Sequence, residues 1–270
     1  MKQAVLFALA LSATVAHADT LSISDGAATF EYRSDTAAGG GNADWTLNGV
    51  DISVDETWVL QIGGVGEELT GGIFTSIAPD EGELLFSDAA GDLELLVNYQ
   101  ITDLGNDETF LAITAELTNL SGGTISGDLV NYIDYDLPDI DPDAGFFDGF
   151  GGAPGDDVLV EVDDILPSGA GHIADRFFEA AEGGELDGPA ASDLLTRILA
   201  GTTLGRTDNG FIDGDFRAAG GFSFTLDDGE TATFFADAFA AATVPEPSSL
   251  LAFCLASVGL MFRRKRPLVS

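Results

Sequence analysis

The chain has 270 residues, of which 46 are acidic and only 10 are lysine or arginine, so its formal net charge at pH 7 is −36. A surface of that sign repels the phosphate backbone and excludes nucleic acid as a partner class. Because 45% of the residues are apolar and 19 are phenylalanine, the composition also excludes a disordered polyanion. The acidic excess is typical of a protein solvated in a saline medium, or of one that collects divalent cations.

The first 18 residues have the organisation of a secretory signal peptide. A lysine follows the initiating methionine, residues 4–15 are largely apolar, and Ala16 and Ala18 occupy the two small positions that signal peptidase reads. A polar residue, Asp19, follows at once. We therefore predict cleavage by signal peptidase after Ala18, export, and a mature chain that begins at Asp19.

Strand patterns dominate residues 19–243, which we predict to form one body. Alternation of apolar and polar residues, bounded by turn residues, predicts a hairpin over 45–54 and strands over 20–24, 28–32, 57–62, 93–101, 109–118, 127–135, 221–226 and 230–236. Asn48 and Gly49 supply the two positive φ angles of a type I′ hairpin turn. Residues 119–123 are expected to form another turn, and 227–229 to join the last two strands as a closing hairpin.

Two segments are predicted to be helical, residues 173–182 and residues 189–199, as an insertion before the closing hairpin. Pro189 is suited to the first turn of the second helix. Many strands at hairpin spacing with little helix predict an all-β fold, an antiparallel β-sandwich with a small helical insertion.

The body is poorly equipped for catalysis. Its one histidine is His172, in a predicted glycine-rich loop without the pattern of a nucleophile elbow, and the chain's only cysteine, Cys254, lies near the C-terminus. A zinc site needs three or four histidine or cysteine ligands, which the body cannot supply. A pair of carboxylates would suffice for a glycosidase, but the 45 acidic residues of the body, all but Glu246 of the chain's 46, form such pairs by chance. We therefore predict no catalytic residue and a non-enzymatic body.

Calcium is the candidate ion. Asp139, Asp141, Asp143 and Asp148 place hard oxygen ligands at close spacing. The first three match positions 1, 3 and 5 of an EF-hand loop, whereas position 6 is alanine and position 12 is phenylalanine, so the loop is not an EF-hand. A weaker acidic loop spans 208–215. For both loops the alternative is a solvated acidic segment.

Two tryptophans are candidates for sugar binding. Trp45 and Trp58 lie on predicted strands and would stack on sugar rings if they faced solvent. Large aromatic residues on alternating strands are more often part of a core.

The C-terminal residues combine three elements in a fixed order. Pro245, Glu246 and Pro247 form a stiff extended segment, residues 248–262 are largely apolar, and a basic cluster follows at Arg263, Arg264, Lys265 and Arg266. The apolar stretch predicts a marginal transmembrane anchor helix whose cationic end stays in the cytoplasm.

This tail, residues 244–270, resembles the PEP-CTERM sorting signal of exported bacterial proteins. The resemblance implies a Gram-negative host that makes exopolysaccharide, and recognition by a membrane-embedded exosortase that cleaves near the Pro-Glu-Pro motif. The body would be membrane-anchored before processing and then displayed at the cell surface or released. Three hypotheses for its role follow: a surface or extracellular-matrix protein, a carbohydrate-binding module for exopolysaccharide, and a glycoside hydrolase.

Overall fold

A computed structural model describes residues 20–35, 42–135, 144–148, 156–165, 171–181, 183–187, 194–205, 210–213 and 216–241. These residues form 17 strands and one short helix, which confirms the predicted all-β class. The predicted signal peptide, the C-terminal tail and most of the acidic loop with Asp139, Asp141 and Asp143 lie outside the described residues.

The strands in chain order are β1 (Thr20–Asp25), β2 (Ala28–Arg33), β3 (Ala43–Leu47), β4 (Val50–Ile62), β5 (Val65–Glu68), β6 (Ile73–Ala78), β7 (Glu81–Ser87), β8 (Leu93–Gly105), β9 (Glu108–Asn119), β10 (Ile125–Tyr135), β11 (Ala144–Asp148), β12 (Asp156–Ile165), β13 (Gly171–Ala181), β14 (Gly183–Asp187), β15 (Gly210–Asp213), β16 (Phe216–Leu226) and β17 (Thr231–Ala241). The helix α1 (Leu194–Leu199) lies between β14 and β15.

Two antiparallel sheets pack face to face. The first has the order β1-β2-β3-β4-β10-β16-β14, with β5 paired to β4, and the second has the order β15-β11-β12-β13-β17-β9-β8-β7-β6. Their inner faces share one apolar core, because alternate side chains of each strand point inward. In β8 and β9 this alternation is regular over almost the whole strand, so register and core face are fixed together.

The hairpin predicted at Asn48 and Gly49 is confirmed. These two residues have φ angles of 54° and 77° and join β3 to β4. The tight turn between β8 and β9 is built in the same way, with Asn106 and Asp107 at φ angles of 58° and 62°. Both hairpin turns therefore consist of residue types that tolerate the left-handed region.

The helix predicted over 173–182 is wrong, because this segment belongs to strand β13. It pairs with β12 on one side and β17 on the other. Ala174, Arg176 and Phe178 are buried on alternate positions, the period of a strand. The charged Arg176 interrupts the apolar alternation in the sequence, which made the segment resemble a helix. The backbone of His172 also lies in β13 and not in a loop.

The second predicted helix is shorter than expected. Only Leu194–Leu199 is helical among the described residues, and 189–193 lie outside them. Leu194 and Ile198 pack on the outer face of the first sheet, against Val59 and Val130. The central strands of that sheet are therefore covered on both faces.

The predicted closing hairpin is wrong in its pairing, although both of its strands exist. Strand β16 pairs with β10 and β14 in the first sheet, whereas β17 pairs with β9 and β13 in the second. Residues 227–230 therefore form a corner that passes from one sheet to the other. The turn predicted at 119–123 is also such a corner, since it joins β9 to β10.

No helix in the described part of the chain is long and apolar enough to cross a membrane. The anchor helix predicted over 248–262 lies outside that part and stays a prediction.

Candidate functional site

Both tryptophans proposed for sugar stacking are buried in the core. Trp45 is 1% exposed and Trp58 is 0% exposed. The indole Nε1 of Trp58 donates a hydrogen bond to the Tyr99 hydroxyl at 3.2 Å, inside the sandwich. Both rings therefore belong to the core, which was the alternative to sugar stacking, and they do not form exposed stacking platforms.

A buried polar network crosses the interior from one sheet to the other. Glu56 on β4 forms an ion pair with Arg176 on β13, with 2.9 Å between Glu56 Oε2 and Arg176 Nη2 and 1% exposure of either side chain. The other oxygen of Glu56 accepts hydrogen bonds from Asn131 Nδ2 at 3.0 Å and from the Tyr99 hydroxyl at 3.5 Å. Arg176 also donates to the carbonyl of Ala236 at 2.9 Å. The network thus joins strands β4 and β10 to β8, β13 and β17.

The chemistry of this interior network is structural. Desolvation, and then the negative charge of Glu56, raise the pKa of Tyr99 well above its usual range, so its hydroxyl remains a donor. Both carboxylate oxygens of Glu56 are bound by buried side chains, and Glu56 is 1% exposed, so a substrate could not reach it. The sequence contains one indication of this network. Arg176 is one of only five arginines in the body, and it lies directly before two phenylalanines.

A second polar group, which we call the outer cluster, consists of Asp55, Thr57, Tyr132, Asp134 and Arg217. It lies on the face of the first sheet that carries α1. Cross-strand register places Asp55 and Arg217 on either side of Asp134, and Thr57 beside Tyr132. The cluster is therefore made by three adjacent strands, β4, β10 and β16, and no short motif of the sequence reveals it.

The accessible part of the outer cluster is an ion pair. Arg217 Nε lies 3.2 Å from Asp134 Oδ2, and the two side chains are 26% and 19% exposed. Asp55 is 3% exposed and accepts a hydrogen bond from the backbone N–H of Asn42 at 3.0 Å. Desolvation, and then the charge of Asp134, raise the pKa of Tyr132.

This arrangement suits hydrogen bonding better than acid–base catalysis. Two-carboxylate hydrolysis requires both groups to reach the substrate, and Asp55 is buried. Asp134 and Arg217 together offer an acceptor and several donors to a polar ligand such as a sugar hydroxyl.

None of the described acidic residues forms a group of three that could hold a metal ion. Of the predicted calcium ligands, Asp148 lies on β11, and Asp139, Asp141 and Asp143 are outside the described residues, so the calcium site stays a prediction. The signal cleavage residues and the sorting-motif residues are likewise outside them.

Solved structures with a similar fold include carbohydrate-related proteins. A galactose mutarotase related enzyme from Lactobacillus acidophilus is 9% identical, with a TM-score of 0.51 over 84% of this chain and 99% of that chain. A protein from Synechocystis is 11% identical, with a TM-score of 0.50 over 83% of this chain and 96% of that chain. At these identities the similarity shows the fold alone. No curated protein sequence matches the chain.

The C-terminal residues give the sequence-level match. Residues 243–266 match the PEP-CTERM protein-sorting motif, which confirms the expected resemblance at the C-terminal tail. The chain therefore ends in a PEP-CTERM sorting signal, and this signal marks it as an exported protein.

Proposed function

We propose that the protein is a non-enzymatic surface or extracellular-matrix protein, exported by its signal peptide and sorted by exosortase through its tail. The sorting motif at residues 243–266 carries this proposal. The described part of the body supports it, because the Glu56–Arg176 network is sealed between the sheets and joins them. A charge of −36 keeps such a protein soluble and separate from its copies.

Intact-mass analysis of the native exported protein tests this proposal at both ends of the chain. The mature protein should begin at Asp19 and should lack the segment that follows Pro-Glu-Pro. Replacing Arg263, Arg264, Lys265 and Arg266 with neutral residues should disturb retention and sorting, because the cations oppose translocation of that end. A mature chain that begins at Met1, or unchanged mass and localisation in the neutral variant, would contradict the proposal.

Carbohydrate binding is the second candidate, and the outer cluster favours it. Asp134 and Arg217 present paired acceptor and donor groups on a sheet face, next to a covered apolar patch. The partner we propose is the exopolysaccharide of the host. This role needs no catalytic group.

Calorimetric titration with the isolated exopolysaccharide tests this candidate. Arg217→Met should reduce binding at least about tenfold, the loss expected when a charged hydrogen bond is removed. Arg197→Met on α1 is the matched control and should bind like the wild type. Absence of heat with the wild-type protein would leave the structural role alone.

We also propose calcium binding at Asp139, Asp141, Asp143 and Asp148. At free calcium 100-fold above Kd, binding to the folded state stabilises it by about 2.7 kcal/mol. Sodium chloride of equal ionic strength is the control for screening. Asp141→Asn should abolish the part of the melting shift that only calcium produces.

A further inference from the structure

Three turns meet at one end of the sandwich, which we call the exit end: residues 25–28, 47–50 and 103–108. Asn48 Nδ2 donates to Asp107 Oδ1 at 2.6 Å, and the N–H of Asn48 donates to the carbonyl of Ala27 at 3.0 Å. The N–H of Ala27 in turn donates to Asp103 Oδ2 at 3.0 Å. These contacts join hairpins of both sheets into one surface.

The last described strand ends at this surface. Ala241, the final residue of β17, is in register with Glu108, the first residue of β9. Only residues 242–244 separate Ala241 from Pro245. Even a fully extended chain covers at most about 14 Å over that distance. A protein that holds the Pro-Glu-Pro motif must therefore come close to the exit end.

The exit end is acidic with one apolar tip. Asp107 is exposed, while Asp25, Asp103 and Glu108 are partly exposed. Leu104 projects among them with 46% of its surface exposed. Anionic lipid headgroups would repel such a surface. A partner surface with basic residues around an apolar depression would complement it.

The exit end is also held by contacts within the body itself. Gly26 has a φ of 57°, and a β-carbon at that position would collide with Asp103 Oδ2. Asp103 further accepts a hydrogen bond from the N–H of Gly105 at 2.7 Å. A preformed surface loses little conformational entropy on association.

We propose that the exit end is a docking surface for the extracytoplasmic face of the membrane protein that recognises the sorting tail. This inference rests on the proposed sorting function and adds the body to the recognised substrate. Recognition then involves Leu104 and the surrounding carboxylates as well as the tail.

The opposite end of the sandwich supplies matched controls. Leu120 is also 46% exposed, and it lies beyond the far end of the 12-residue strand β9. At about 3.4 Å per residue the two leucines are roughly 40 Å apart. Asp92 is an exposed carboxylate at that far end, where its carbonyl accepts a hydrogen bond from the N–H of Leu120 at 2.7 Å.

Pulse-labelling of the full chain in its native host, followed by intact mass, tests the docking surface. Leu104→Ser should slow tail removal about fivefold, the effect of losing burial of half a leucine, and Asp107→Lys should slow it too. Leu120→Ser and Asp92→Lys should leave the half-time unchanged. Eight Gly and Ser residues inserted after Thr243 should make processing insensitive to Leu104→Ser.

Each other outcome overturns the inference. Equal half-times of tail removal for the Leu104 and Leu120 variants would show that the partner does not bind the exit end. Faster processing of Asp107→Lys would indicate an anionic lipid surface as the occupant. A wild-type chain that is exported but keeps its tail would overturn docking and leave export intact, whereas a chain that never leaves the cytoplasm would overturn the proposed function and docking together.

Discussion

Glu56 and Arg176 are single residues on which the interior of the sandwich depends. A buried pair of charges is costly to desolvate, and it becomes strongly destabilising when one partner is removed. Here the pair also satisfies Asn131 on β10 and the carbonyl of Ala236 on β17. The two residues therefore act as one unit.

Glu56→Gln should lower the free energy of unfolding by about 3–5 kcal/mol, because it leaves the Arg176 guanidinium buried without its counter-charge. Urea unfolding measures this loss. Glu116→Gln changes an exposed carboxylate on β9 and should alter stability by less than about 0.5 kcal/mol. The double variant Glu56→Leu, Arg176→Met should recover only part of the loss. It removes the uncompensated charge, but it also removes the partners of the Asn131 amide and the Ala236 carbonyl. A double variant no more stable than Glu56→Gln would contradict the account of a shared unit.

Asp103 gives a pH dependence with a definite sign. Hydrogen bonds from the N–H groups of Ala27 and Gly105 lower its pKa below the ordinary value of 3.8. A carboxylate whose folded pKa is depressed stabilises the fold above the unfolded pKa and loses that contribution as the pH falls through the folded pKa. Asp103→Asn should therefore flatten the fall in unfolding free energy below about pH 4. An unchanged pH profile relative to the wild type would contradict this assignment.

Residue-level prediction from the sequence succeeded where the signal was local. Asn48 and Gly49 define their turn by their own backbone preferences, which no distant residue alters. Trp45, Trp58 and Arg176 depend on what lies across the sandwich. An isolated strand pattern does not show whether a large or charged side chain faces a partner or solvent. Sugar stacking and core packing therefore both stayed open for the two tryptophans, and the buried ion pair was not predicted.

Asn119 holds the two corners that carry the chain between sheets, and it is fully buried. Its Nδ2 donates to the carbonyls of Gly123 at 2.6 Å and Leu226 at 2.8 Å, and its Oδ1 accepts from the N–H of Ser121 at 2.9 Å. Its backbone carbonyl accepts from the N–H of Gly229 at 2.7 Å. One side chain thus fixes the corner after β9 relative to the corner after β16.

Asn119→Ala should lower the free energy of unfolding by about 2–4 kcal/mol, because the carbonyl of Leu226 stays buried and loses its donor. Thermal or urea unfolding measures the change. Asn98→Ala, which removes a hydrogen bond to Glu81 on the half-buried side of β8, is the control and should cost about 1 kcal/mol or less. Equal effects of the two substitutions would show that the corner does not depend on Asn119.

The positions of most strands could be predicted from the sequence, whereas their pairing could not. Alternation located the strand cores, but two runs joined by a short turn were taken to be paired, because adjacent strands usually are. The 227–230 corner breaks that rule. Strand β13 was mistaken for a helix since Arg176 stands where the alternation required an apolar residue, and only the opposite sheet explains it.

Across the whole molecule, the sandwich shields its tyrosines. Three of the four tyrosines in the chain, Tyr32, Tyr99 and Tyr132, have pKa values raised above 10.0, chiefly by desolvation and further by Glu56 or Asp134. A raised folded pKa contributes stability below the unfolded pKa that is lost as the pH rises past it. The fold should therefore weaken above about pH 10.

An alkaline titration followed by phenolate absorbance and circular dichroism measures this. Ionisation of these three phenols should coincide with unfolding, so phenolate absorbance and loss of β structure should rise together. Three phenols that titrate reversibly near pH 10 in a folded protein would contradict the buried arrangement.

The position of β17 has a consequence for the order of events during export. This last described strand is the fifth of nine in the second sheet, between β13 and β9. If the chain crosses the membrane amino end first, as the predicted signal peptide implies, it holds two separate half-sheets until residues 231–241 emerge. Strand edges left open in this way invite aggregation or proteolysis. The second sheet can therefore close only in a product that is intact up to residue 241, directly before the sorting tail. A product truncated before β17 is exported with the second sheet still in two parts.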